Sequence, residues 1–216
     1  AYYNKKFVFL GDSITYQNKW QPTLQNRFGF VYSFREIQYG LDGKKPTGVG
    51  GSMVTPLIID ETGKRTGESM YVRADDVQYY SPDVIIVLGG QNDRIATGDV
   101  PLGSISDATY TGGEVTSGSP SFYASYKGLL TKLITQNPTS QIICIAPMFS
   151  TDQTWAQKKD KADAVIACAK SFGIKCINGL EDFGINSINQ SSYFSDGVHP
   201  SDVGGKRIAD IISAYL

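Results

Sequence analysis

A chain of 216 residues, 41% hydrophobic and 19% charged, carries enough apolar content for one large globular domain spanning residues 1–216. Its 20 basic and 21 acidic side chains nearly cancel and are scattered, so it lacks the electrostatic footprint of a nucleic-acid or anionic-membrane partner. No apolar run reaches the ~18 residues that a membrane span needs, and the first residues enter a strand-like run without a signal-peptide pattern, so a soluble chain with no membrane insertion is expected.

In chain order, residues 6–10 form a short apolar run that predicts a strand, followed by Gly11-Asp12-Ser13 and a helix with Trp20, Leu24 and Phe28 on one face. Residues 83–88 are apolar and β-branched after their acidic start, as suits a parallel strand buried on both faces. Residues 141–146 and 175–178 repeat that pattern more briefly. Helical spacing at i, i+3, i+4, i+7 recurs in Tyr126, Leu129, Leu130 and Leu133, in Ala162, Val165, Ile166 and Ala169, and in Ile208, Ile211, Ile212 and Tyr215. Thr154-Trp155-Ala156-Gln157 reads as a capping box at the start of the second of these helices. Strands alternating with helices predict an α/β fold of three layers, a parallel sheet flanked on both faces. Long inserts near 40–68 and 96–120, rich in Gly, Ser, Thr and Asp, interrupt the alternation, and loops of that length are usually functional or disordered. Cys144, Cys168 and Cys176 have no metal-ligand spacing with a histidine and read as buried free thiols, a Cys168–Cys176 bridge being the alternative.

His199 is the only histidine, so imidazole chemistry has one place to occur. It closes Asp196-Gly197-Val198-His199, in which the carboxylate can turn back onto one ring nitrogen and leave the other as a general base. The plainer reading is a surface histidine ahead of a helix that starts near Pro200 and Ser201. Ser13 follows the first strand, where an α/β sheet presents residues to a ligand crevice, although Asp12 and Ser13 also suit a helix cap. Gly89-Gly90-Gln91-Asn92-Asp93 follows the strongest strand; Asn92 can aim an amide at a substrate oxygen there, or the segment is an ordinary turn.

These three blocks, in this order, resemble the SGNH hydrolases, also called the GDSL esterase/lipase family. Ile14 stands where the family motif has leucine. The resemblance implies a flavodoxin-like parallel sheet, Ser13 as nucleophile, His199 as base and Asp196 as its acid. It implies an oxyanion hole made by the Ser13 and Gly51 backbone N–H groups and the Asn92 side chain, with Gly50 the alternative to Gly51. Asp12, Gly50, Asp93 and Tyr110 are expected to border the substrate. No metal and no organic cofactor is implied.

Carbohydrate O-acetylesterases are among the proteins the chain resembles, and the polar inserts suit a hydrated substrate. The expected partner is therefore an acylated small molecule or polysaccharide, and a polysaccharide implies an extracellular setting. A lipid- or thioester-directed acyl hydrolase is the competing enzyme, and a non-catalytic carbohydrate-binding module on the same fold is the alternative of another class.

Overall fold

Val84, Ile85, Ile86, Val87 and Leu88 are all buried, which a strand achieves only when layers cover both of its faces. They form the centre of a computed structural model that describes residues 1–32, 53–56, 69–93, 95, 100–112 and 120–216. The chain runs through β1 (Lys6–Gly11), α1 (Ser13–Tyr16), α2 (Gln21–Phe28), β2 (Val31–Tyr32), α3 (Met70–Val77), β3 (Val84–Leu88) and α4 (Phe122–Gln136). It continues through β4 (Gln141–Ile145), α5 (Trp155–Ser171), β5 (Lys175–Ile177) and α6 (Asp202–Tyr215). All strand pairs are parallel, in the order β2-β1-β3-β4-β5. This is the flavodoxin-like order, in which the winding direction reverses between β1 and β3. α2 packs against α6, and α4 packs against both α3 and α5, giving the three-layer α/β/α sandwich.

The apolar stripes place the helices. Tyr126, Leu129, Leu130 and Leu133 of α4 are buried against the sheet side, as are Ala162, Val165 and Ala169 of α5 and Ile208 and Ile212 of α6. The capping box of α5 forms as expected: Thr154 Oγ1 accepts from the Gln157 N–H, and Gln157 Oε1 accepts from the Thr154 N–H.

The helix expected around Trp20 is instead two. Asn18, at φ 55°, turns the chain after the single turn of α1, Trp20 becomes the N-cap of α2, and Pro22 lies in the first turn. β2 and α3 were not expected; α3 carries a short buried pattern, Met70, Ala74 and Val77, interrupted by the charged Arg73, Asp75 and Asp76. Of the two inserts, residues 53–56, 100–112 and 120 belong to the described part, and the rest lies outside the described residues. Cys144, Cys168 and Cys176 are all unbridged. Among the described residues, no helix is long and apolar enough to cross a membrane.

The start of α6 lies directly on the connection between α1 and α2. A Cβ added at Gly205 would sit 2.3 Å from the Lys19 carbonyl oxygen, a backbone atom that cannot swing away. Alanine gains up to about 1 kcal/mol of helix propensity over glycine, whereas overpacking costs about 1–3 kcal/mol. Gly205→Ala is therefore expected to lower the urea midpoint of unfolding, and an unchanged or raised midpoint would show that α6 can shift freely from Lys19.

Candidate active site

The pairing of Gly11 with Leu88 ends β1 and β3 at the same level, so the segments that leave them run side by side. Asp12 takes the N-cap of α1, its Oδ1 accepting from the Ile14 N–H at 3.0 Å, and Ser13 is the first helical residue. Across the crevice, the loop before α6 brings His199 Nε2 to 2.9 Å from Ser13 Oγ. His199 Nδ1 lies 2.7 Å from Asp196 Oδ2. The other Asp196 oxygen accepts from the backbone N–H of His199 at 2.8 Å and of Val198 at 3.0 Å. Burial works against its charge, but the His199 N–H, the His199 ring and the Val198 N–H outweigh burial and hold the carboxyl at about 2. Ionised Asp196 accepts from Nδ1–H, which leaves Nε2 as the acceptor for the Ser13 hydroxyl.

That loop is braced at both ends. Gly197, at φ 83°, makes the tight turn, and its carbonyl accepts from the Thr151 N–H at 2.9 Å. Phe194 and Pro200 form an antiparallel bridge, and Ser201 caps α6 while its N–H donates to the Tyr193 carbonyl.

Asn92 follows β3, and its Nδ2 is buried with no hydrogen-bond partner among the described residues. Gly50 and Gly51 lie outside the described residues. The segment just after them is tied to the Asn92 turn, because Asp93 accepts from the backbone N–H groups of Val54 and Thr55 and from the Thr55 hydroxyl, at 2.6–3.0 Å.

The structure corrects two expected substrate contacts. Asp12 and Asp93 are both fully buried beneath the turns, Asp12 as a helix cap and Asp93 as the tie to residues 54 and 55. Tyr110 is partly buried and packs edge-on against Tyr71, whose ring face is covered by the Lys132 ammonium at 3.8 Å. Burial pushes Asp93 up, against the Thr55 and Val54 donors and Lys161. Asp12 is pushed up to about 6, chiefly by burial and with Asp93 adding to it, against the Ile14 N–H, Arg73 and His199.

Several side chains that support the site carried no motif. Arg73, on α3 and 1% exposed, donates through Nη2 to the Gly11 carbonyl at 2.8 Å. Gln91 is buried and engaged through both its side chain and its carbonyl, the latter by Gln153 and Lys161.

Residues 9–207 match the model of the GDSL-like lipase/acylhydrolase family, a span that includes both Ser13 and His199. The chain belongs to that family. No curated protein sequence matches it at a significant level. Among solved structures, this GDSL-like chain is similar to a protein from Lactobacillus plantarum, with 22% identity, a TM-score of 0.72, and coverage of 100% of this chain and 98% of the other. It is also similar to a GDSL-like lipase from Bacteroides uniformis, with 19% identity, a TM-score of 0.66, and coverage of 99% and 95%. The lipase/acylhydrolase from Enterococcus faecalis shares 12% identity over 98% and 94% of the two chains at a TM-score of 0.58. At these identities the likeness establishes the fold.

The raised Asp12 has a consequence for stability. The folded protein keeps a proton up to about 6 that the unfolded chain releases near 3.8, so the stability it contributes is full below 3.8 and lost as pH rises through about 6. Asp12→Asn keeps the acceptor for the Ile14 N–H and removes the titration. Between pH ~4 and ~6 the unfolding free energy of the native protein is expected to fall relative to the variant, by on the order of 2 kcal/mol. A difference that stays constant in urea titrations across that range would show that Asp12 is ionised throughout.

Proposed function

We propose that this GDSL-family chain is a serine esterase that removes acetyl or other short acyl groups from a glycan or polysaccharide. The observation that carries the hydrolytic part is the continuous hydrogen-bonded line from Ser13 Oγ through the His199 ring to Asp196, at 2.9 and 2.7 Å. In this reading residues 1–216 act as one domain, since the end of β1, the end of β3 and the loop before α6 meet at one site.

Ser13 Oγ attacks the ester carbonyl as His199 Nε2 takes its proton, and Asp196 stabilises the imidazolium that forms. The Ser13 and Gly51 N–H groups and Asn92 Nδ2 hold the tetrahedral oxyanion. As the bond from the acyl carbon to the sugar oxygen breaks, the imidazolium gives the proton to that oxygen, leaving an acyl-serine and the free alcohol. Water, deprotonated by His199, then releases the carboxylic acid and restores Ser13.

Support for a hydrated substrate comes from the polar surface beside the histidine loop: Thr151, bonded to Gly197, and Asp152 are exposed, as is about half of the Asp196 side chain. The lipase names carried by similar structures from Bacteroides uniformis and Enterococcus faecalis favour a second reading, an acyl hydrolase that takes longer chains.

A series of p-nitrophenyl esters from acetate to palmitate separates these readings. Turnover of the short esters alone is expected; preference for long chains selects the second reading, and no turnover a non-catalytic binding module. A serine-directed phosphonate is expected to label Ser13 stoichiometrically, and Ser13→Ala to abolish turnover while remaining folded. Labelling of another serine would remove Ser13 from the mechanism.

The oxyanion assignment has its own test. Loss of one donor costs about 10²–10³-fold in kcat, so Asn92→Ala is expected to fall in that range with KM little changed. A raised KM with kcat intact would make Asn92 a substrate-binding residue instead.

A further inference from the structure

The turn that carries Asn92 is held from below by a buried charge. Lys161 lies on α5 with no exposed surface, and its Nζ donates to the Gln91 carbonyl at 2.9 Å and to Gln153 Oε1 at 2.5 Å. Gln153 Nε2 donates to the same Gln91 carbonyl at 2.9 Å, and the Gln153 carbonyl accepts from Lys158 Nζ. The Gln91 side chain is fastened separately, accepting from the Met148 N–H at 3.2 Å and donating to Ser150 Oγ at 2.7 Å. On the far side of Asn92, Asp93 is fixed by Val54 and Thr55. Both neighbours of Asn92 are thus tied down, while its own buried Nδ2 has no partner among the described residues.

A lysine is a costly way to fill this position. Ala162, Val165, Cys168 and Ala169 continue the same buried stripe, and an apolar residue at 161 would extend it without desolvating an ammonium. What the ammonium adds is a charge-assisted bond to a backbone carbonyl, roughly twice as strong as a neutral one. We propose that Lys161 is a positioning residue for the oxyanion site, its ammonium on the Gln91 carbonyl fixing the turn so that the Asn92 amide points at the developing oxyanion. The inference rests on the serine-esterase reading and adds to it a residue that never touches substrate.

The groups facing Lys161 come from three strand ends and its own helix: Asp12 after β1, Asp93 after β3, Asp152 after β4, and Lys158 on α5. Burial holds the ammonium down to about 8, with Lys158 adding to the depression and Asp93, Asp152 and Asp12 opposing it. Loss of the proton above that pH weakens the bond to Gln91, so kcat declines on the alkaline side while KM holds.

The test is a double-variant cycle on p-nitrophenyl acetate with Lys161→Met and Asn92→Ala, read as kcat and KM across pH ~6 to ~10. Lys161→Met alone is expected to lower kcat about 10-fold or more, with KM within about twofold, and to lose the alkaline decline. In the Asn92→Ala background the same substitution is expected to cost less than about twofold, because the amide it positions is gone. Losses that multiply in the double variant overturn the inference, since a merely structural lysine acts whether or not Asn92 is present. A Lys161→Met enzyme with native kcat also overturns it while Ser13 labelling keeps the esterase reading standing; absence of Ser13 labelling overturns both. Should circular dichroism show Lys161→Met unfolded, Gln153→Leu takes its place, removing the second donor to Gln91 and leaving the buried charges intact. Losses that multiply with Asn92→Ala there overturn the inference equally.

Discussion

Everything at the site depends on β1 and β3 ending side by side. Gly11 makes that possible: a Cβ there would meet the Leu88 carbonyl oxygen at 2.7 Å and Thr15 Oγ1 at 2.1 Å. With no side chain to separate the strands, their register runs unbroken from Phe7 and Val84 to Gly11 and Leu88. Ser13 and Asn92 then leave the sheet at the crevice where the winding direction reverses, the place where such sheets bind ligands. Only the imidazole has to be brought in from elsewhere, and the loop before α6 does this with its own bridge between Phe194 and Pro200 and a tie to Thr151.

Below these turns lies a layer of buried charge: Asp12, Arg73, Asp93 and Lys161, each at most 1% exposed. Such a layer is poor insurance for stability, because the desolvation of buried ions consumes most of what their attraction returns. Its value lies in direction. Hydrogen bonds to charged groups contribute about 1.5–3 kcal/mol and fix the carbonyls and amides they reach. Here they reach the Gly11 and Gln91 carbonyls and the Val54 and Thr55 N–H groups, which are the backbone of the turns on either side of the crevice.

The fold was legible where residues alternate with the period of their element. The stripes of α4, α5 and α6 and the apolar strands predicted their elements, and the meeting of Ser13, Asp196 and His199 was legible because each lies in a short motif at a strand end or in a tight loop. The structure brings Ser13, His199 and Asp196 into one hydrogen-bonded line. Asp12 and Asp93 were misread because adjacency in sequence to a site residue is not adjacency to substrate: each points beneath the turn. Lys161 and Arg73 were not legible at all. Their partners are 70 and 62 residues away, and a lysine or arginine on a helix ordinarily reads as a solvated charge. The one local hint is that Lys158 and Lys161 extend the apolar stripe of α5 upstream at its own spacing.

The separation of 186 residues between Ser13 and His199 bears on how such a chain is made. A nascent polypeptide extended only through β5 would hold the serine and the asparagine but no imidazole. A domain generally folds as a unit, so β1, β3 and the histidine loop come together only once the chain through α6 is available. The contact between Ser13 Oγ and His199 Nε2 is therefore a late one, made when α6 docks and carries the histidine loop into place, and it reports on completion of the fold.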